Sequence, residues 1–108
     1  MKNNLTEKEI NYSNVKGCSS LDALELCFIN AKNSNAKYIG ILIETRGSEA
    51  PEIIINPSGN FDTKLEYYKR AYNEELILKS FDGIRIIGFD YGNTFAQLEC
   101  SLLNPGML

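Results

Sequence analysis

Asp90, Tyr91, Gly92 and Asn93 follow the apolar run IRIIGF, and Thr94 then opens an amphipathic segment. A glycine-containing turn between a strand and a helix is a common phosphate site, because free backbone N–H groups and the helix dipole meet there. Glu44, Glu49 and Glu52 form a second group, spread over a strand–loop–strand pattern. Carboxylates facing each other across a hairpin can hold Mg²⁺, but no Asp/Glu-x-Lys spacing accompanies these. Cys18 precedes a helix start, where a thiol can become acidic. Cys27 and Cys100 lie among apolar residues at helical spacing and read as core or near-core. The chain contains no histidine. That absence removes Ser–His and Cys–His nucleophile pairs, imidazole acid–base chemistry and most zinc sites. No P-loop, G-x-G-x-x-G, EF-hand loop or G-x-S-x-G occurs either. The reading is of a chain with no catalytic residue, no metal ligand set and no cofactor.

The stretch IIGFDYGNTF resembles the first phosphate-binding turn of the actin and sugar-kinase ATPase superfamily. It is also similar to the first strand of RNase H-like resolvases. The resemblance implies that Asp90 faces a metal and Gly92 approaches phosphate. It covers about ten residues, between Ile86 and Thr94 at its centre, and in those families a hairpin follows the turn. Here sixteen residues follow Gly92 and they read as a helix, with no room for a second phosphate loop. The turn is therefore read as structural: Gly92 and Asn93 redirect the chain and Thr94 caps the next helix.

The elements that carry these residues can be placed by periodicity. Ser19, with Asp22 three residues on, is expected to cap a first helix whose stripe is Leu21, Leu24, Phe28 and Ala31, ending at Asn33-Ser34-Asn35. KYIGILIET is apolar on both faces, which predicts an interior strand. PEIIINP, bounded by Pro51 and Pro57, is a second strand pairing with it through a loop near Gly47. Ser58 or Asn60 caps a second helix with the stripe Phe61, Leu65, Tyr68 and Tyr72, Tyr67 lying off it, and Glu66–Arg70 forms a surface pair. LILKSF-DG-IRIIGF reads as a hairpin around Asp82-Gly83, with a helical extension as the alternative for 76–81. Thr94 and Gln97 form a capping box for a last helix carrying Phe95, Leu98 and Leu102. The fold class is α+β: one mainly antiparallel sheet of three or four strands with about three helices. Residues 1–17 read as a polar arm, in which Thr6 and Glu9 offer a capping box, and 18–108 as a single α+β domain.

The totals limit the functions available. Eleven Lys and Arg against fourteen Asp and Glu give a net charge of −3, and no basic run exceeds Lys69-Arg70. Nucleic-acid binding needs a clustered basic face, so no nucleic-acid partner is expected. No apolar run reaches membrane-spanning length, and MKNNLTEKEI lacks the apolar core of a signal peptide. The expected location is cytoplasmic, and the odd cysteine count predicts three free thiols. Twelve asparagines and twelve isoleucines point to an AT-rich coding sequence. In size and composition the chain resembles the short accessory proteins of AT-rich bacteria and their phages. That resemblance implies action by binding, as an inhibitor of a host or defence protein. The leading expectation is a small non-catalytic binding protein that docks on a protein partner. Its candidate surface is Arg46, Gly47, Ser48 and Glu49, with Asp90, Tyr91 and Asn93 as a second. Two alternatives stand beside it: a small-ligand or nucleotide-sequestering protein with a site at a homodimer cleft, and a metal-dependent hydrolase using Asp90 with Glu44 or Glu52.

Overall fold

The computed structural model describes residues 20–103. The polar arm, Cys18 and the Thr6–Glu9 capping box fall outside that range. The described chain forms one antiparallel sheet with three α-helices, an α+β arrangement. Among the described residues no helix is long and apolar enough to cross a membrane.

Helix α1 spans Leu21–Asn33. Its N-cap is Ser20, one residue after the expected Ser19; the Ser20 hydroxyl accepts from Ala23 N at 3.2 Å. Asn35 at φ 57° ends the helix. Ala36 N donates to Ala31 O at 3.0 Å and Asn35 N to Lys32 O at 3.1 Å. These two bonds define a Schellman cap, with asparagine in the left-handed position that glycine usually takes. Leu24, Cys27, Phe28 and Ala31 are buried along one stripe.

Strand β1 (Tyr38–Thr45) is central, flanked by β2 (Glu52–Pro57) and β3 (Ile84–Gly92), both antiparallel to it. Five consecutive buried residues of β1, Ile39 to Ile43, are what a strand covered on both faces requires. Residues opposite one another in the register share a face. Ile39, Ile41 and Ile43 therefore lie with Ile54, Asn56, Ile86, Phe89 and Tyr91 on the front, and Gly40 and Leu42 with Ile53, Ile55, Gly88 and Asp90 on the back. A bulge at Ile87 shifts the β1–β3 register between Leu42 and Ile43.

Helix α2 (Phe61–Ala71) follows a short 3₁₀ turn at Ser58–Asn60 and packs beside α1 on the front face. Asn60 occupies the cap position, but neither it nor Ser58 makes a side-chain capping bond. Phe28 meets the Phe61 ring edge-on at 5.9 Å, and Tyr68 and Tyr72 extend the cluster. Leu65 is only partly buried. The expected Glu66–Arg70 pair is absent from the ion pairs of the described residues. Lys32–Asp62 at 2.7 Å and Lys69–Glu25 at 3.1 Å join α1 to α2 instead. Helix α3 (Phe95–Leu103) covers the back face. A Cβ on Gly40 would meet Leu102 Cδ1 at 3.1 Å and Leu98 Cδ1 at 3.3 Å, so this glycine lets the helix sit close. Phe95, expected on the inner stripe, is instead 54% exposed and meets the Tyr38 ring edge-on at 4.9 Å.

The segment between α2 and β3 is neither the expected strand nor a helical extension. Asn73 Oδ1 accepts from Glu75 N and Ile77 N, at 2.8 and 3.0 Å, and folds the chain into a tight loop. Leu76 takes φ 67° and is driven into the core, 1% exposed. A leucine in the left-handed region costs roughly 1–2 kcal/mol, which burial of its side chain offsets. Only isolated bridges, Tyr72–Leu78 and Ile77–Arg85, connect this segment. Neither Asp82 nor Gly83 has positive φ, so the tight two-residue hairpin turn does not form.

Candidate functional site

The end of the sheet where β1 runs into the β1–β2 loop carries an open cleft of about 370 Å³. Three of the expected binding residues, Arg46, Gly47 and Ser48, line it, joined by Glu44, Asp82, Gly83 and Arg85. Gly47 sits at φ 90°, a conformation that favours glycine, and turns the loop. Ser48 N closes the turn on Thr45 O at 2.9 Å, and its hydroxyl donates to Ala50 O at 3.2 Å. Glu49 is exposed in the loop but takes no part in the cleft wall.

Arg46 makes three contacts. Its backbone N donates to Gly83 O at 2.7 Å. Its Nη2 donates to Asp82 Oδ1 at 2.7 Å. Its guanidinium lies over the Phe81 ring, 5.4 Å from the centroid. Gly83 completes the fit: a Cβ there would stand 2.5 Å from Phe81 Cζ and 3.2 Å from Arg46 Cβ. Gly83 thus leaves room for the Phe81 ring to lie where it does, and it does not serve a primed turn. Phe81 remains 46% exposed although it is a large apolar side chain. Arg85 faces Glu44 across the β1–β3 ladder, so the cleft presents both signs of charge. Residue order hides this set, since Arg46 and Asp82 are 36 positions apart. The available signals were the Asp-Gly pair and an apolar Phe81 beside it.

At the second expected surface Asp90 and Tyr91 are half-buried and Asn93 is exposed, and their polar groups also make bonds within the fold. Asp90 Oδ1 accepts from Tyr91 N at 2.8 Å and Oδ2 from the Ser101 hydroxyl at 2.5 Å, tying β3 to α3. Tyr91 packs against the core cluster. Asn93 Oδ1 accepts from Lys37 N at 3.1 Å, and Asn93 N donates to Gln97 Oε1 at 2.7 Å. Gln97 N donates to the Thr94 hydroxyl at 3.1 Å, the expected half of the capping box. The reciprocal half is displaced by one residue, since the Gln97 side chain accepts from Asn93 N and not from Thr94 N. Gly92 does not have positive φ; a Cβ there would meet the Gln97 side chain, with Oε1 nearest at 3.0 Å. Its place in the sequence reflects the room needed by that side chain.

The carboxylates do not converge. Glu52 pairs with Ile43, which puts Glu44 and Glu52 on opposite faces of the sheet. Asp90 pairs with Gly40, four residues along from Glu44, a separation of roughly 13 Å at ~3.3 Å per residue. No group of three His, Cys, Asp or Glu among the described residues could hold a metal ion. No protein-family model, curated protein or solved structure matches the chain.

Two of the three cysteines are described, and both are free. Cys27 is buried, and desolvation, with Asp90 adding to it, pushes its thiol up to about 12. Cys100, expected near the core, is exposed. Burial also pushes the Tyr72 hydroxyl up to about 12 and raises Tyr68, where contact with the Asn56 amide works in the opposite direction.

Proposed function

We propose that this chain acts as a non-catalytic binding protein, docking on a protein partner through the Arg46–Phe81 corner of its sheet. The observation that carries the reading is an exposed arginine whose guanidinium pairs with Asp82 and lies over the exposed Phe81 ring, while its backbone N bonds Gly83 O. Arginine and aromatic side chains dominate the energetics of protein interfaces. A side chain fixed before binding loses less conformational entropy on docking. Glu44 and Arg85 beside it supply charges of both signs for a polar rim. An accessory role as an inhibitor of a host or defence protein fits this mode of action and rests on size and composition alone.

Affinity capture from cells that naturally carry the gene tests the reading. Wild type should retain a partner at stoichiometric level, and a double Arg46→Ala, Phe81→Ala variant should lose it while keeping its melting temperature. Equal retention by both forms would remove this corner as the docking site. Failure of the wild type to retain any protein would remove the function.

A further inference from the structure

Strand β2 lies at the edge of the sheet, and its outer backbone groups bond to no other backbone among the described residues. Natural edge strands are usually protected by lysine, bulges or an internal proline. In β2 the prolines stand only at the ends, Pro51 just before the strand and Pro57 as its last residue. Between them are one charge, Glu52, and three isoleucines, with no lysine and no bulge. We infer that β2 pairs antiparallel with β2 of a second copy of this chain, across a two-fold axis at Ile54.

The direction of each backbone group follows from the ladder. Ser58 N donates to Lys37 O at 2.9 Å, which marks residues 37 and 58 as a hydrogen-bonded pair. Hydrogen-bonded and non-bonded pairs alternate along an antiparallel ladder. Asn56, Ile54 and Glu52 therefore spend their N–H groups on β1, and Ile55 and Ile53 point theirs outward. Pro51 and Pro57 have the same outward parity and no N–H to offer. The free donors are thus two, bracketed by a proline at each end.

The segment PEIIINP is nearly symmetric about Ile54. A two-fold axis there sets Ile54 against Ile54, Ile53 against Ile55 and Pro51 against Pro57 of the second copy. Four N–H···O=C bonds form between Ile53 and Ile55 in the two directions, and the ladder stops where the prolines meet. Glu52, the strand's one charge, falls opposite the neutral Asn56, so no like charges are opposed. Ile54, 37% exposed on the front face, gains its own copy in the close spacing of a non-bonded pair. Registers displaced by two put Glu52 against isoleucine or against Ser58 and lose this match. The opposite edge of the sheet is blocked at the start of β3. There Leu78 N bonds Ile84 O and Ile86 N bonds Leu76 O, both at 2.9 Å, and the bulge at Ile87 follows. The product is a six-stranded sheet with the two Arg46 corners at opposite ends.

Sedimentation equilibrium of the full chain, with hydrogen exchange read at single amides, tests the inference. The expected result is a dimer in which the Ile53 and Ile55 amides are protected. Ile54→Lys should sediment as a folded monomer, and Ile54→Glu likewise, while the two mixed should form a heterodimer. Ile53→Pro removes an outward donor without touching the β1 ladder, and it should also dissociate the dimer should the charged variants fail to fold. A wild-type monomer overturns the pairing, including one whose Ile53 and Ile55 amides are protected by another part of the same chain. A dimer in which those amides exchange freely overturns it as well.

Discussion

Cys27 and Cys100 show how place, rather than residue type, sets reactivity. The thiolate is the nucleophile, and Cys27 is buried where its thiol is pushed up to about 12 from 9.0. Cys100 is exposed on the outer side of α3. A thiol reagent at pH 8 should therefore modify Cys100 in the native protein and reach Cys27 only on unfolding; intact-mass kinetics with and without denaturant read the difference. The same shift bears on stability. Cys27 releases its proton more easily unfolded than folded, so its contribution is complete below pH 9 and declines as pH rises toward 12. Tyr72, raised from 10.0 to about 12, acts in the same direction. The melting temperature should fall above pH 9, and Cys27→Ala should flatten the first part of that fall. A melting temperature independent of pH between 8 and 11 would show that neither group is held neutral by burial.

At the scale of elements, the α1–α2 layer carries most of the front core. Phe28 is 1% exposed and touches both Phe61 and Tyr68. Phe28→Ala removes a fully buried ring, which typically costs ~3–5 kcal/mol, and breaks an edge-on contact with Phe61 and a tilted one with Tyr68, such aromatic pairs being worth ~0.5–1.5 kcal/mol each. Leu65 lies on the same helix layer but only partly buried, so Leu65→Ala should cost less than the ~2–5 kcal/mol of a buried leucine. Urea unfolding of the two variants orders them; a larger loss at Leu65 would mean that α2 presents a different face to the sheet. The ion pairs Lys32–Asp62 and Lys69–Glu25 hold the two helices at both ends but are largely solvated. Such pairs contribute at most ~1 kcal/mol each.

At the scale of the molecule, the described residues form a single sheet with helices on both faces, and none of them makes a lobe facing the Asp90 turn. Both Asp90 oxygens accept hydrogen bonds within the fold, one from Tyr91 N in β3 and one from the Ser101 hydroxyl in α3. ATP with Mg²⁺ should therefore leave the melting temperature unchanged. A ligand bound at 100 times its dissociation constant would add about 2.7 kcal/mol, several degrees for a domain of this size. Asp90→Ala should lower the melting temperature, through the lost Ser101 contact, whether or not nucleotide is present. A saturable rise with ATP, abolished by Asp90→Ala, would restore the phosphate-turn resemblance as a functional one.

Periodicity and turn chemistry determined the fold class, because both are local. The two apolar faces of KYIGILIET required a central strand. The stripe of α1, the loop at Gly47 and the Thr94–Gln97 cap likewise depend on residues a few positions apart. Contacts between distant segments were decided by the tertiary structure alone. LILKSF reads as a strand by composition, yet Asn73 and the burial of Leu76 fold it into a loop. Alternation could not say that Glu44 and Glu52 face opposite ways, since that depends on the register across the hairpin. The Arg46 corner needs Asp82 and Phe81 from another part of the chain. Local rules describe how each segment prefers to fold. Which side chains meet is set by how the segments share one core, where burial free energy outweighs any single segment's preference.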